Sequence, residues 1–407
     1  MSNKKRNLHM KKISMVINIY IDTKCGEENI FDHPTDFDSF DETGTFPRTF
    51  ESLKELRIPY GHEFELFVIA AAANGDTVKD IEIRGKLIKV AKTADFKSYI
   101  ITNSDIDNLR SEGYSFLSTA GYCEIRNLGF IFPFFSGGDY VIQIDDDELV
   151  KPGYLEKMVE IFNKYPDIYV LSGLYDEKGS LLYDETNDYV TWQKDTAMNE
   201  DRRRIIASNP EPVELFYGMG GNMMFKREFF SQICYPENVA RGEDFALLLA
   251  SYLIYFNGND KCAIPLGNDV FRTYCTAADE ITIIHKQPYS EKSNREKYLK
   301  LNFIRFIMQR RMAEDYIDKD KYFELSKYMY KMTMPEDLLK KIDNVYQEAV
   351  ERGECSATAA EKDIPKLKEF YVELKKRDLF EEYKEYQHIY ITSLKNNKID
   401  VSIYAVF

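Results

Sequence analysis

The chain predicts an α/β layered fold, a mostly parallel sheet flanked by helices, followed by a helical C-terminal region. Three observations carry that expectation. Strand-like and helix-like segments alternate through the first two thirds of the sequence, which is the pattern of a sheet with crossover helices. The run 66–73 is continuously apolar, as a parallel strand covered on both faces must be. Finally, the apolar segment Tyr140-Val-Ile-Gln-Ile144 ends abruptly in four carboxylates, Asp145, Asp146, Asp147 and Glu148. Ligands of open α/β sheets bind beyond the carboxyl ends of strands, so these acids stand where a site is expected.

In chain order, residues 13–21 read as the first strand. The segment 22–47 is acidic and contains Phe and Thr; it reads as a long loop and a candidate lid. Residues 48–57 suit a helix, 64–72 a buried strand, 97–102 another short strand, and 139–144 the strand that carries the carboxylates. Pro152 marks a helix start. Behind it Leu155, Met158, Val159 and Phe162 recur at helical spacing and form one core-facing stripe. Residues 175–210 are polar and read as an insertion near the site. They hold the single tryptophan, Trp192, which has two readings: stacking on a sugar face or packing beneath a loop. They also hold Arg202-Arg-Arg204, read first as a solvated face and alternatively as a clamp on a diphosphate or an acidic acceptor. From about 291 the composition turns to Lys, Glu and Tyr, and 291–330, 335–352 and 361–394 read as helices. Residues 401–407 could add an edge strand. The expected division is 1–290 for the α/β unit and 291–407 for the helical region.

Composition excludes several function classes. At 407 residues the chain holds one large domain with an appendage, or two domains. With 68 acidic against 54 basic residues its net charge is -14, which argues against nonspecific nucleic-acid binding. The six cysteines (Cys25, Cys123, Cys234, Cys262, Cys275 and Cys355) show no Cys-x-x-Cys spacing and read as reduced thiols of a cytoplasmic protein. A Cys262–Cys275 disulfide fits on length alone and is not expected. The apolar stretch 13–21 contains Asn18 and lacks a small-residue cleavage site, so it reads as a strand rather than a signal peptide. No window approaches the ~20 apolar residues that span a bilayer. Peripheral contact with a membrane surface stays open.

Four adjacent carboxylates repel one another, each close pair by roughly 1 kcal/mol in water and about 4 at an intermediate dielectric. A cation relieves that repulsion. Carboxylate oxygens are hard ligands, so Mg2+ or Mn2+ is indicated, with open positions that suit a diphosphate. The alternative is a solvated acidic turn. A second constellation follows: Gly218-Met-Gly-Gly-Asn-Met-Met-Phe225, then Arg241-Gly-Glu-Asp244. Glycines allow close backbone approach to a ligand. Asp244 stands before the apolar run 245–249, where it reads either as a helix-start residue or as a general base.

Together these segments resemble the family 2 glycosyltransferases and their relatives of the GT-A (Rossmann-like) fold. The similarity runs in order through Arg126-Asn127-Leu128-Gly129, the strand 138–147 ending in an Asp-x-Asp motif, Lys151-Pro-Gly-Tyr-Leu155, Gly221-Asn-Met-Met-Phe-Lys-Arg227 and Gly242-Glu-Asp244. It covers roughly 11–290, with a nucleotide-sugar half at about 11–150 and an acceptor half at about 151–290. The resemblance implies a hexosyltransferase-type enzyme that uses Mn2+ or Mg2+. It would move a sugar from a UDP- or GDP-sugar donor to a carbohydrate or other hydroxyl acceptor.

By the same resemblance Asp147 ligates the metal, Asp145 contacts the ribose or a metal-bound water, and Asp146 points into the sheet or assists. His285, closing the run Ile281-Thr-Ile-Ile-His285, is an extra metal ligand or simply a polar strand end. Arg241 and Lys286 offer charge to the phosphates, and Arg126 lies on the donor side. Asp244, beside Glu243, is the general base of an inverting displacement; in a retaining enzyme it would position acceptor or donor. Tyr20, Asn74 and Asp105 are nucleotide contacts by position. The chain departs from the family's usual Pro-x-x-Asn and Asn-Asp-Gly-Ser segments, reading Asn18-Ile-Tyr-Ile-Asp22 and Ala73-Asn-Gly-Asp76 instead, the mark of a divergent branch. A nucleotidyltransferase would open with a Gly-rich basic loop after strand one, and none is present. A non-catalytic sugar-binding protein of this fold would be favoured by loss of Asp147 or Asp244, and both are present.

Overall fold

The computed structural model describes residues 10–22, 35–36, 44–72, 77–183, 194–215, 217–239, 241–256, 271–285, 295–316 and 338–406. The first half runs β1 (Lys11–Asp22), β2 (Thr35–Asp36), α1 (Thr45–Leu53), β3 (His62–Ala72), α2 (Thr77–Ala91), β4 (Lys97–Thr102), α3 (Asn103–Ser111), α4 (Tyr122–Ser136), β5 (Tyr140–Asp145) and β6 (Glu148–Leu149). Then come α5 (Tyr154–Lys164), β7 (Ile168–Gly173), β8 (Tyr175–Asp176), α6 (Lys194–Ser208), β9 (Val213–Glu214), β10 (Met223–Lys226), α7 (Arg227–Phe230), α8 (Glu243–Phe256), β11 (Arg272–Thr276) and β12 (Ile283–His285). The C-terminal region supplies α9 (Arg295–Tyr316), α10 (Leu338–Glu351), α11 (Ala357–Leu374), α12 (Leu379–Asn396) and β13 (Ala405–Val406).

The main sheet has the order β13-β4-β3-β1-β5-β10-β7-β11-β9. β1, β3, β4 and β5 are mutually parallel, and β10 is inserted antiparallel between β5 and β7. From β1 the chain moves outward to β3 and β4, then returns to the other flank of β1 as β5. The switch point between β1 and β5 is where a ligand crevice forms, and there Asn18 pairs in register with Asp145. Val16, Ile17, Leu66, Val68, Ile142 and Ile144 are buried, as strands covered on both faces require. The expected α/β class, with a mostly parallel sheet and a helical C-terminal region, is borne out.

Three local expectations change. Within the segment expected to be one loop, Thr35 and Asp36 pair with Ile21 and Asp22, and α1 begins at Thr45. The hydroxyls of Thr35, Thr45 and Thr49 all donate to Asp146, so these three residues pack onto the turn after β5; the rest of the candidate lid, 23–34 and 37–43, lies outside the described residues. The helix expected over 361–394 is two helices, because Asp378 accepts a bond from the Glu381 amide and starts a second one. Arg202 does not lie on a solvated face: it is 0% exposed. It shares the buried side of α6 with Met198 and Ile205, at the i, i+4, i+7 spacing of one helix face. Its guanidinium stacks on the Tyr183 ring at 3.5 Å and donates to the Leu181 carbonyl at 2.7 Å. Arg203 and Arg204 are exposed as expected. Trp192 and the stretch 317–330 lie outside the described residues.

The C-terminal helices are stitched to the sheet unit by buried polar contacts. On α12, Tyr383, Gln387 and Tyr390 repeat along one face and donate to the carbonyls of Cys234, Gln232 and Phe230 at 3.0, 2.9 and 2.6 Å. β13 pairs antiparallel with β4 at the sheet edge, the edge strand that the terminal residues suggested. A buried carbonyl left without its donor costs about 1–3 kcal/mol. Tyr390→Phe is therefore expected to lower stability by about that amount in urea unfolding; an unchanged midpoint would contradict the contact.

Candidate active site

β5 delivers Asp145 to the sheet's carboxyl edge, and the next residues turn into β6. β6, β12 and β8 form a separate small sheet in the order β6-β12-β8. In it His285 is the cross-strand partner of Glu148, which brings a histidine from the far end of the unit onto the acidic turn. His285 Nε2 lies 3.4 Å from Asp147 Oδ2, and Nδ1 lies 3.7 Å from Glu177 Oε1. The Tyr175 ring stacks against the imidazole with centroids 5.1 Å apart. Asp147, Glu148 and His285 each offer a ligand atom, all within 4.8 Å of one another.

A buried guanidinium on α4 ties this turn to the rest of the site. Arg126, 4% exposed, donates from Nη2 to both oxygens of Asp145 at 3.2 Å and from Nε to Glu243 Oε1 at 3.0 Å. Its Nη1 reaches the Gly220 carbonyl at 3.2 Å. Asp244 follows Glu243 in the first turn of α8. A Cβ at Gly220 would stand 3.8 Å from Asp244 Cβ and 3.7 Å from Arg126 Nη2, so base candidate, arginine and glycine loop share one corner. At Gly221 a Cβ would come within 2.2 Å of Glu148 Oε1. Glycine lets this loop close over the acidic turn with the Glu148 carboxylate in place, and its amide donates to Tyr175 Oη at 2.6 Å.

The remaining expected site residues are placed as follows. Asp146 is buried, and its carboxylate accepts from the Thr35 and Thr45 hydroxyls at 2.9 and 2.8 Å. Asp105 closes a capping box at the start of α3 and pairs with Arg84. Tyr20 is buried at the end of β1 with its ring 4.3 Å from that of Tyr122. Arg241 is half-buried on the turn before α8. Asn74 and Lys286 lie outside the described residues. Sequence reasoning counted Glu148 among the four acids that a cation would neutralise, and gave no role to Glu177 or Tyr175. Glu148 was visible in the acidic run, whereas Glu177 and Tyr175 carried no local signal.

The electrostatics reflect crowded, buried acids. Burial raises the Asp145 carboxyl above its ordinary value, partly offset by Arg126. Glu148, whose Oε2 accepts from the Asp145 amide at 2.9 Å, is pushed well up by burial and by Asp145 and Asp147. Burial alone would lower the His285 imidazole, but its contacts with Asp147 and Glu177 outweigh burial and raise it to about 11. With no cation beside it, the imidazole thus favours a proton between two carboxylates, and a metal ion would displace that proton. Two carboxylate oxygens and one imidazole nitrogen at this spacing are a donor set that fits Mn2+ or Mg2+.

Asp146 gives a pH-dependent test. Burial first, then Asp147, raises its carboxyl from 3.8 to about 7 against the Thr45 and Thr35 bonds. The folded state therefore holds this proton more tightly than the unfolded state. The resulting stabilisation is complete below the unfolded value and is lost as pH rises through the folded one. Thermal unfolding in metal-free buffer between about pH 4 and 7 is expected to show a smaller loss for Asp146→Asn than for the native chain; parallel profiles would contradict the assignment.

Residues 134–234 match the model of glycosyl transferase family 2. The matched stretch contains the acidic turn and the glycine loop and ends before Glu243, Asp244 and His285. No curated protein matches the chain. Among solved structures the chain is similar to S. aureus TarS 1-349, at 11% identity over 96% of this chain and 93% of that one, TM-score 0.44. It is similar to the mannosyltransferase PcManGT from Pyrobaculum calidifontis at 10% identity over 94% and 85%, TM-score 0.45. A third likeness is to M. tuberculosis glucosyl-3-phosphoglycerate synthase, at 13% identity over 73% and 80%, TM-score 0.39. These likenesses are too distant to transfer residue roles. The family match agrees with the expected resemblance over residues 134–234, the segment that carries the acidic turn and the glycine loop.

Proposed function

We propose that the chain is a metal-dependent glycosyltransferase that moves a sugar from a nucleotide-sugar donor to an acceptor hydroxyl with inversion. The observation that carries this reading is the meeting of Asp147, Glu148 and His285 within 4.8 Å of one another, just beyond the carboxyl end of β5, where open α/β sheets bind ligands. Asp147 and His285, backed by Glu148, would hold Mn2+ or Mg2+. When bound, the cation supplies Lewis-acid stabilisation of the departing diphosphate.

The chain's own residues do the rest. Arg126 fixes the Asp145 carboxylate at the strand end, in place for the ribose of the donor. Tyr20 at the end of β1 offers a buried aromatic wall on the same side. Glu243 is held by Arg126 at the start of α8, which orients Asp244 beside it. Asp244 stands in the first turn of α8, at the positive end of the helix dipole. That carboxylate takes the acceptor's hydroxyl proton while the acceptor oxygen bonds to the anomeric carbon and the bond from that carbon to the diphosphate oxygen breaks. Of the described cysteines, Cys123, Cys234, Cys275 and Cys355 are free thiols, in keeping with work in a reducing cytoplasm. No helix among the described residues is long and apolar enough to cross a membrane.

The test is release of free nucleoside diphosphate from a panel of UDP- and GDP-sugars with Mn2+. Metal-dependent release from one donor is expected, abolished in Asp147→Ala. Asp244→Asn is expected to lower kcat by about 10^2 to 10^4 while donor affinity is kept, and the product is expected to have inverted configuration. Equal release by the native chain and Asp147→Ala would overturn the metal assignment, and a retained configuration would remove Asp244 as base.

A further inference from the structure

We propose that Glu177 is a positioning residue for His285, locking the imidazole so that Nε2 rather than Nδ1 is presented to the cation beside Asp147. The inference rests on the metal site of the preceding section and adds to it the residue that follows β8. β8 runs parallel to β12 with Tyr175 opposite Ile283 and Asp176 opposite Ile284, so the next residue, Glu177, comes alongside His285. Glu177 is itself firmly held. Its amide donates to the Ser180 carbonyl at 2.9 Å and the Ser180 amide returns a bond at 3.1 Å. Between them Lys178 and Gly179 both have positive φ, 57° and 85°, the two-residue hairpin geometry that matches strand twist. Asp176 Oδ1 tightens the turn further by accepting from the Gly179 amide at 2.7 Å.

On this rigid support the Glu177 carboxylate faces Nδ1 at 3.7 Å while Asp147 faces Nε2 at 3.4 Å. The Tyr175 ring lies along the imidazole face with an interplanar angle of 26°, and Gly221 pins that tyrosine through its hydroxyl. A ring flip that exchanges the two nitrogens would have to break these contacts together. With a carboxylate beside Nδ1 that favours the proton there, an imidazole keeps the Nε2 lone pair for a metal and gains basicity; loss of such a partner weakens metal affinity by about 10- to 100-fold. Glu177 would not touch donor or acceptor, and its effect passes through His285.

The experiment measures Mn2+ affinity of the full chain by electron paramagnetic resonance, together with the nitrogen coupling to bound Mn2+ and the metal-free Tm. It uses native protein, Glu177→Gln, Asp147→Ala and His285→Ala. Gln keeps the hairpin backbone and side-chain size, so Tm is expected to stay near native while Mn2+ affinity falls about 10- to 100-fold and the imidazole coupling weakens. Native-like affinity and coupling in Glu177→Gln, with both lost in His285→Ala, would overturn the positioning role and leave the metal site standing. Native-like affinity in Asp147→Ala and His285→Ala as well would overturn the metal site and this inference with it.

Discussion

The site depends on one buried cation, Arg126. A guanidinium out of water is tolerated only when it is paired and hydrogen-bonded, and Arg126 is both. It bridges Asp145 on β5, Glu243 on α8 and the carbonyl of Gly220, three points from three parts of the chain. Their spacing is set by the reach of a single planar group. Through Asp145 the arginine fixes the end of the acidic strand; through Glu243 it fixes the helix start that carries Asp244. On the proposed function, donor-side and acceptor-side chemistry would therefore be built on the same ion pairs.

Those pairs also leave a charge imbalance that explains the rest of the corner. Asp145 and Glu243 share one positive charge, and Asp147 and Glu148 stand beside them with His285 as the nearest base. Burial, and then the neighbouring acids, raise the Glu148 carboxyl, and Asp147 with Glu177 raise the His285 imidazole against burial. A divalent cation, as proposed above, would answer that imbalance more fully, and the glycine at 221 leaves room for the Glu148 carboxylate.

Much of this was legible in the sequence because it is local. An apolar strand ending in carboxylates, a glycine run before a short strand, and an acidic pair opening an apolar helix are each written within about ten residues. Their assembly at one sheet edge then follows from the general rule for α/β sheets. The histidine was legible as a strand end, but its partner was not: the Glu148–His285 pairing spans a small sheet of three strands, each two or three residues long, too short to leave a periodic signal. Asp146 reads as one acid among four, and only the converging hydroxyls of Thr35 and Thr45 separate it from its neighbours. Arg202 looked solvated because charge predicts exposure, whereas a flat ring at Tyr183 and a loop carbonyl make a buried guanidinium tolerable.

The central claim is that the cation sits among Asp147, Glu148 and His285. Anomalous diffraction at the manganese edge from crystals grown with Mn2+ and a nucleoside diphosphate tests it most directly. The account predicts a single strong peak bounded by Asp147 and His285, with the diphosphate oxygens on its open side. A peak elsewhere with those side chains unliganded, or a bound diphosphate with no metal beside it, would contradict it.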